Sequence, residues 1–374
     1  MLCAAVVATA CQPRGAAEGA PGRIVVFQDG SLADARTVVS PGVLGLQTGL
    51  AGSYALEILE TGGSASTATA QAASAAADPS VAAAVIAPFT ALPDGAVSVL
   101  RDAGVPVLSL SSSTATPRGP GAPFRSFVAT IPEDAAAIAR LAEAGAPGTV
   151  LCVAGGRDGG WSASLSAALL RRASRSGGAR RTAALRGTPS EVAAAAGRRG
   201  CGVLAWTGTA AGAAVLWRGL PSTPRRPALL VADRARTAGL LETVGPLLAE
   251  ADLDGVCACA DLTASGDPAA QRFLHDFQAA TGLDPGPFAA EGWDVGRALA
   301  TIEQGARSRA EVAAVLEARP TIGGVGGPYA WKGSGLLAVP GVRAYRAVGW
   351  RWLSPIVAPG MSGERARPSG AGRA

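Results

Sequence analysis

The densest set of hydrogen-bonding side chains in this chain is the run Ser109-Leu110-Ser111-Ser112-Ser113-Thr114. Hydroxyls and free backbone N–H groups at a strand end can hold a carboxylate without a full opposing charge. The plainer reading is a polar turn, with hydroxyls closing onto nearby backbone. Other chemistry is sparse. The only histidine, His275, lies on an amphipathic helical pattern beside Arg272 and Asp276. No Ser-x-Gly elbow, paired-carboxylate motif or metal cluster accompanies it, so catalysis is disfavoured. Cys152, Cys201, Cys257 and Cys259 each sit in an apolar strand-like run. With one histidine in the chain, the CxC spacing does not suit a structural zinc site. Buried thiols are the default reading, and a Cys152–Cys201 disulfide is open in an oxidising compartment. The glycine-rich turn at 155–160 does not fit GxGxxG, and no Lys-Ser/Thr follows it, so it is not a phosphate cradle. No metal or cofactor is expected.

The hydroxyl run hangs on a recognisable frame. An apolar run at 85–87 ends at Pro88, a helical segment covers 92–103 and Gly104 stops it. Residues 105–108 read as a buried strand and 124–131 as another. Strand, helix, strand with short connections is a right-handed parallel crossover. Ligands of such sheets sit beyond the carboxyl ends of the strands, where the hydroxyls are. Strands at 23–28 and 54–59 alternate with helices at 42–51, 64–77 and 132–144, and Glu133 and Asp134 suit the first turn of the last. The second half repeats the alternation: strands at 149–154, 202–206, 228–232 and 255–260, with a helix at 161–174. Alternation of this kind gives parallel sheets with helices on both faces.

At 374 residues the chain has room for two ordinary domains. Its net charge of +5 is spread over short arginine clusters without interleaved aromatics, and Lys332 is the only lysine. Solvated helix ends explain these clusters better than nucleic-acid binding. Residues 2–10 are small and apolar, and Cys11 and a polar stretch follow. The segment is too short to span a bilayer. Residues 7–11 (VATAC) resemble a bacterial lipobox, although Ala8 stands where Leu is usual. The expectation is a lipidated Cys11 and a chain outside the cytoplasm, anchored to the membrane.

The series Asp102-Ala103-Gly104-Val105-Pro106-Val107-Leu108-Ser109, continued by Ser111 to Pro117, resembles the first domain of solute-binding proteins of branched-chain amino acid ABC transporters, the Leu/Ile/Val-binding family. Residues 269–285 and 288–298 are similar to two further helices of that family, and residues 324–335 to its hairpin. The resemblance runs through most of 23–350. It implies two doubly wound α/β lobes joined by a hinge, the type I periplasmic binding fold. The expected division is a signal and linker at 1–21, a first lobe at 22–145, a second lobe at 146–260, a segment at 261–350 spanning both, and a largely disordered tail at 351–374.

The resemblance also implies site residues. Ser111, Ser112 and Ser113 would bind a carboxylate, and Thr90 and Ala91 would line the first-lobe wall. Asp233 would take an ammonium group, with Trp161 and Thr209 completing the second-lobe side. Trp161 stands where the family has a tyrosine and can supply its apolar wall but not its phenol oxygen. The plainer reading of Asp233 is a surface pair with Arg234. Departures occur at Phe89-Thr90-Ala91, which replaces a more hydroxyl-rich turn, and at residues 29–40, which lack the family's aromatic-containing Gly-Pro pattern. The implied partners are an amino acid or related carboxylate, an ABC permease and the membrane. A membrane-anchored sensor or a degenerate binding scaffold without transport is the alternative.

Overall fold

The computed structural model describes residues 22–112, 119–155, 160–175, 181–221, 226–245, 253–260, 262, 265–302 and 308–353. The targeting segment with Cys11, Ser113 and the tail beyond 353 lie outside the described residues.

Two sheets form the framework. The first joins β1 (Arg23–Gln28), β2 (Ala55–Glu60), β3 (Val81–Ile86), β4 (Val107–Ser109) and β5 (Phe124–Ser126) in the order β2-β1-β3-β4-β5, all parallel. Its helices are α1 (Ala35–Val38), α2 (Ser40–Leu50), α3 (Ala65–Ala77) and α4 (Asp94–Asp102). The central strand β3, VAAAVI, is buried throughout, the signature of a parallel strand covered on both faces. Ser64 caps α3 by accepting the Thr67 N–H at 3.2 Å.

The second sheet holds β6 (Val150–Ala154), β7 (Thr182–Leu185), β8 (Cys201–Trp206), β9 (Ala228–Val231) and β10 (Leu253–Cys257). They run parallel in the order β7-β6-β8-β9-β10, the arrangement of the first sheet repeated. A late antiparallel pair, β13 (Arg343–Val348) and β14 (Arg351–Leu353), extends the β10 edge. The layer's helices are α5 (Ile131–Gly145), α6 (Gly160–Arg175), α7 (Pro189–Arg199), α8 (Ala210–Gly219) and α9 (Ala238–Val244). The chain then returns through α10 (Pro268–Thr281), α11 (Ala289–Ala300) and α12 (Arg309–Ala318), and a hairpin of β11 (Thr321–Gly323) and β12 (Pro328–Ala330). Among the described residues, no helix is long and apolar enough to cross a membrane.

Helix α5 packs on α6, β8, β10 and β13, elements of the second layer. The first crossing between layers therefore falls near residue 130, before the helix that the sequence division at 145 groups with the first lobe. No alternation of strand and helix marks which layer an amphipathic helix will cover.

Both cysteine pairs are disulfides. Cys152–Cys201 ties β6 to β8, and Cys257–Cys259 closes on itself at the end of β10. The buried-thiol reading is thereby corrected. Two alternate residues on one strand face cannot meet while extended, but the chain bends beyond Cys257.

Helix α11 crosses α2 in close backbone contact. A Cβ on Gly45 would stand 2.1 Å from the Ala289 carbonyl oxygen, and one on Gly292 would stand 2.0 Å from that of Gly42. The same helix holds two crossings between the layers. Glu291 accepts the Ala260 N–H at 2.7 Å. Asp294 accepts the Val325 and Gly326 N–H groups at 2.8 and 2.7 Å and the Tyr329 hydroxyl at 2.7 Å.

Candidate functional site

In a parallel sheet ordered 2-1-3-4-5, the direction in which successive strands are added reverses at strands one and three, and a crevice opens beyond their carboxyl ends. Here there are two such points, β1/β3 and β6/β8. The first is spanned by a hydrogen bond in which the Asp29 N–H donates to the Thr90 hydroxyl at 3.0 Å. The second carries Gly155 and Thr207. The Thr207 hydroxyl lies within 3.1 Å of the Ser162 and Ser166 hydroxyls and 3.0 Å from the Ser162 carbonyl oxygen. A Cβ on Gly155 would meet all three hydroxyls at 2.9–3.0 Å, so a larger residue where the chain leaves β6 would have to displace them.

The two crevices meet. The indole of Trp161, at the start of α6, donates to the Ser112 hydroxyl at 2.7 Å. Its ring stands edge-on to Phe89 with centroids 4.9 Å apart, and Phe89 stands edge-on to Phe288 at 5.3 Å. Phe89 and Phe288 both have left-handed backbone, with φ of 59° and 65°. Aromatic residues rarely adopt it, and such strain persists only where the surroundings hold it. Ser109 accepts the Ser111 N–H and donates to the Ser111 carbonyl oxygen, both at 3.1 Å, which turns the chain toward Ser112.

The acidic pole is deeper. Asp233, in a 3-10 turn at residues Asp233–Ala235 after β9, is 1% exposed and accepts the Ala258 N–H at 2.6 Å through one oxygen. Asp134, in the first turn of α5, is wholly buried. Its two oxygens and the second oxygen of Asp233 have no hydrogen-bond partner among the described residues. Burial raises the Asp134 carboxyl well above the usual range, and the Asp233 charge raises it further. Burial also pushes Asp233 up to about 6, against the lowering effect of the Ala258 amide and the Arg236 charge. Two buried carboxylates with three free oxygens repel each other and are stabilised by a cationic group between them.

Arg234 does not pair with Asp233. It reaches across to the first lobe and grips Asp34 through two nitrogens, with the Nε–Oδ2 contact at 3.1 Å.

The structure thus brings Ser112 and Trp161 together across the lobes, places Thr90 at the first crevice and Ser111 in the turn before Ser112, and buries Asp233 close to Asp134 in the second lobe. Ala91 is exposed. The Thr209 hydroxyl is engaged as the N-cap of α8, accepting the Gly212 N–H at 3.2 Å. In the sequence Asp134 reads only as a helix-start acid, and no motif singles out Asp34 or Thr207. Acidic first turns are common, and no local pattern separates an exposed one from a buried one. No group of three or more His, Cys, Asp or Glu side chains suited to a metal occurs among the described residues.

Two parallel sheets of the same order, joined by repeated crossings and facing each other through their strand ends, define a two-lobed binding fold. A sequence profile described as periplasmic binding protein matches residues 53–349, and the chain belongs to that family. Solved structures share the architecture, which is that of type I periplasmic binding proteins. LivJ, the branched-chain amino acid transporter substrate-binding protein of Streptococcus pneumoniae, solved with isoleucine, is 16% identical with a TM-score of 0.68, covering 90% of this chain and 98% of its own. The leucine-binding protein LivK of Thermotoga maritima is 19% identical with a TM-score of 0.68, covering 88% and 97%. A solute-binding protein of R. palustris, solved with benzoate, is 13% identical with a TM-score of 0.65, covering 90% and 95%. No curated protein matches the chain in sequence.

Proposed function

We propose that this protein is an extracytoplasmic solute-binding protein that captures an amino acid-like ligand between its lobes and delivers it to an ABC permease. Ser111 and Ser112, which follow β4, and Ser113 receive the carboxylate, with Thr90 and Ala91 on the first-lobe wall. Trp161 forms the apolar wall, with Thr209 on the second-lobe side. Asp233, joined by Asp134, takes the ammonium group. Closure follows from hinge bending, because the closed state offers the ligand both poles at once. Cys11 carries the lipid that anchors the chain.

The buried Asp134–Asp233 pair is the observation that carries this reading. Ligands named for the structural relatives include isoleucine and benzoate. Both bear a carboxylate, and isoleucine alone bears a cation. Three unpartnered, buried carboxylate oxygens favour a ligand with an ammonium group.

The test is thermal stabilisation and calorimetry with amino acids, their amides and simple carboxylates including benzoate. At 100 times its dissociation constant, a ligand stabilises the native state by about 2.7 kcal/mol. Binding of an amino acid that is lost in Asp233→Asn supports the assignment of poles. Binding of benzoate that survives Asp233→Asn removes the acid pair from the site. No binding from the whole panel favours the sensor or scaffold alternative.

A further inference from the structure

The Cys257–Cys259 disulfide links residues two apart. Its Cα atoms are 5.0 Å apart, whereas two residues of extended strand span about 6.6 Å. The bond therefore requires the chain to fold back at Ala258, and β10 ends at Cys257. The residue inside this loop is the one whose N–H donates to Asp233 at 2.6 Å. Neighbouring groups hold the loop from outside. A terminal nitrogen of Arg236 donates to the Cys259 sulfur at 3.1 Å, and the Tyr345 hydroxyl donates to the Cys259 carbonyl oxygen at 2.8 Å. The Arg236 guanidinium itself lies 4.3 Å from the centre of the Tyr345 ring. Both sulfurs are fully buried.

A cross-link over so short a loop removes little freedom from the unfolded chain, because the entropic gain grows with loop length. Cys152–Cys201, with a separation of 49, is the bond suited to global stabilisation. The effect of Cys257–Cys259 is local geometry.

We propose that the Cys257–Cys259 disulfide is a positioning element for the cation-binding carboxylate: it fixes the Ala258 amide so that one oxygen of Asp233 is occupied and the other is presented, with Asp134, to the ligand. This rests on the reading of Asp134 and Asp233 as the ammonium pole. Without the bond, residues 257–259 relax toward extended strand and the Ala258 N–H swings away from Asp233. The carboxylate then loses a hydrogen bond that favours its ionised form, while Asp134 and Arg236 still face it. Its titration moves to higher pH, and the affinity for an ammonium group falls at neutral pH.

The experiment compares the full chain with Cys257→Ser/Cys259→Ser and with Cys152→Ser/Cys201→Ser. Amide exchange at Ala258, the titration midpoint of the Asp233 carboxyl carbon by NMR, and the affinity for L-leucine from pH 5 to 8 are measured. Loss of the short disulfide should speed Ala258 exchange at least tenfold, raise the midpoint, and weaken leucine about tenfold at pH 7 with the pH profile displaced the same way. Loss of the long disulfide should lower the melting temperature and leave those three readouts in place. Ala258→Pro keeps the disulfide and removes the N–H, and it should raise the same midpoint. If the serine double variant does not fold, reduction of the Cys152→Ser/Cys201→Ser chain breaks the short bond alone; an unchanged midpoint after that reduction, or in Ala258→Pro, overturns the proposal. An unchanged midpoint and unchanged Ala258 exchange without the short disulfide would overturn the proposal. If the wild-type protein does not bind leucine, the ligand reading is weakened, while exchange and titration still decide the positioning role.

Discussion

Arg234 and Asp34, 200 positions apart in the chain, form a two-pronged ion pair that joins the second lobe to the first. The Arg234 side chain is 1% exposed and that of Asp34 is 12% exposed. Removing one partner of a buried pair typically costs 3–5 kcal/mol, because a charge is stranded without water. In the proposed hinge motion the stranded group has an escape, since opening the lobes hydrates it. Asp34→Ala should therefore shift the protein toward an open form more than it lowers the melting temperature. The radius of gyration in solution scattering should rise, and ligand affinity should fall tenfold or more, about 1.4 kcal/mol. Arg234→Met in the same background should recover part of the loss, because no charge is then left to hydrate. A scattering curve and affinity unchanged by Asp34→Ala would show that the pair does not hold the lobes.

Stability and affinity should respond to pH in opposite directions. Burial raises Asp233 and Asp294 to about 6 and Glu291 to about 7. In the unfolded chain these groups titrate near 4. Between about pH 4 and 7 the native state thus holds protons that the unfolded state has lost, and stability falls as pH rises through that window. Each group contributes on the order of 1.4 kcal/mol per unit of difference. The ligand-free protein should melt at a higher temperature at pH 5 than at pH 7.5. An ammonium ligand needs Asp233 ionised, so its affinity should rise over the same interval. Calorimetry at both pH values checks the pair of slopes. A flat melting temperature would mean that Arg236 and Arg343 already keep these carboxylates charged.

Trp161 joins the lobes in two ways that substitution can separate. Trp161→Phe keeps a ring against Phe89 and removes the indole N–H that reaches Ser112 at 2.7 Å. Ser112→Ala removes the acceptor. A hydrogen bond of this kind contributes about 1 kcal/mol net, so Trp161→Phe should weaken ligand binding about fivefold, and Ser112→Ala by more, because its hydroxyl is also the one proposed to meet the carboxylate. The double variant should be little worse than Ser112→Ala alone, since neighbours in one contact are not additive. Trp161→Ala loses the ring as well and should cost considerably more. Fully additive losses would place Trp161 and Ser112 on separate tasks.

Much of this architecture is legible from local signals. The strand at 23–28, the helix after Ser64 and the crossover through Gly104 are written in apolar runs, a cap and a stop residue. The serine run at the end of β4 is legible for the same reason, because composition marks it. The acid pair is not. Asp134 and Asp233 are nearly one hundred residues apart, and each has an ordinary local explanation, as a helix-start acid or a loop acid beside an arginine. Only the packing of α5 on the second layer makes them neighbours. Arg234 misleads in the same way, since adjacency in sequence suggests Asp233 while the fold supplies Asp34. The short disulfide is hidden for a geometric reason. Alternation along an ideal strand separates two such sulfurs, and the bend that unites them is tertiary.

The glycines between α2 and α11 give a stability prediction with a built-in sign control. A Cβ at Gly45 or Gly292 meets backbone carbonyl oxygen at 2.1 or 2.0 Å, and at Gly49 or Gly296 it meets one at 2.4 Å. Backbone cannot rotate aside as a flexible side chain can, so the helices must separate. Overpacking in a core costs about 1–3 kcal/mol even where side chains can adjust. Gly45→Ala and Gly292→Ala should therefore each cost at least about 3 kcal/mol. Gly95, in α4, has open space where its Cβ would be. There Ala should stabilise by about 0.5 kcal/mol, because it reduces the freedom of the unfolded chain. The two effects have opposite signs for the same chemical change, and chemical denaturation of the three variants measures both. Glu291 and Asp294 lie on the helix that Gly292 seats, and they hold the backbone at Ala260, Val325 and Gly326. Gly292→Ala should accordingly weaken ligand binding beyond what its stability loss alone produces, at temperatures where the variant is fully folded. Equal affinity in the folded variant would separate the helix seam from the hinge.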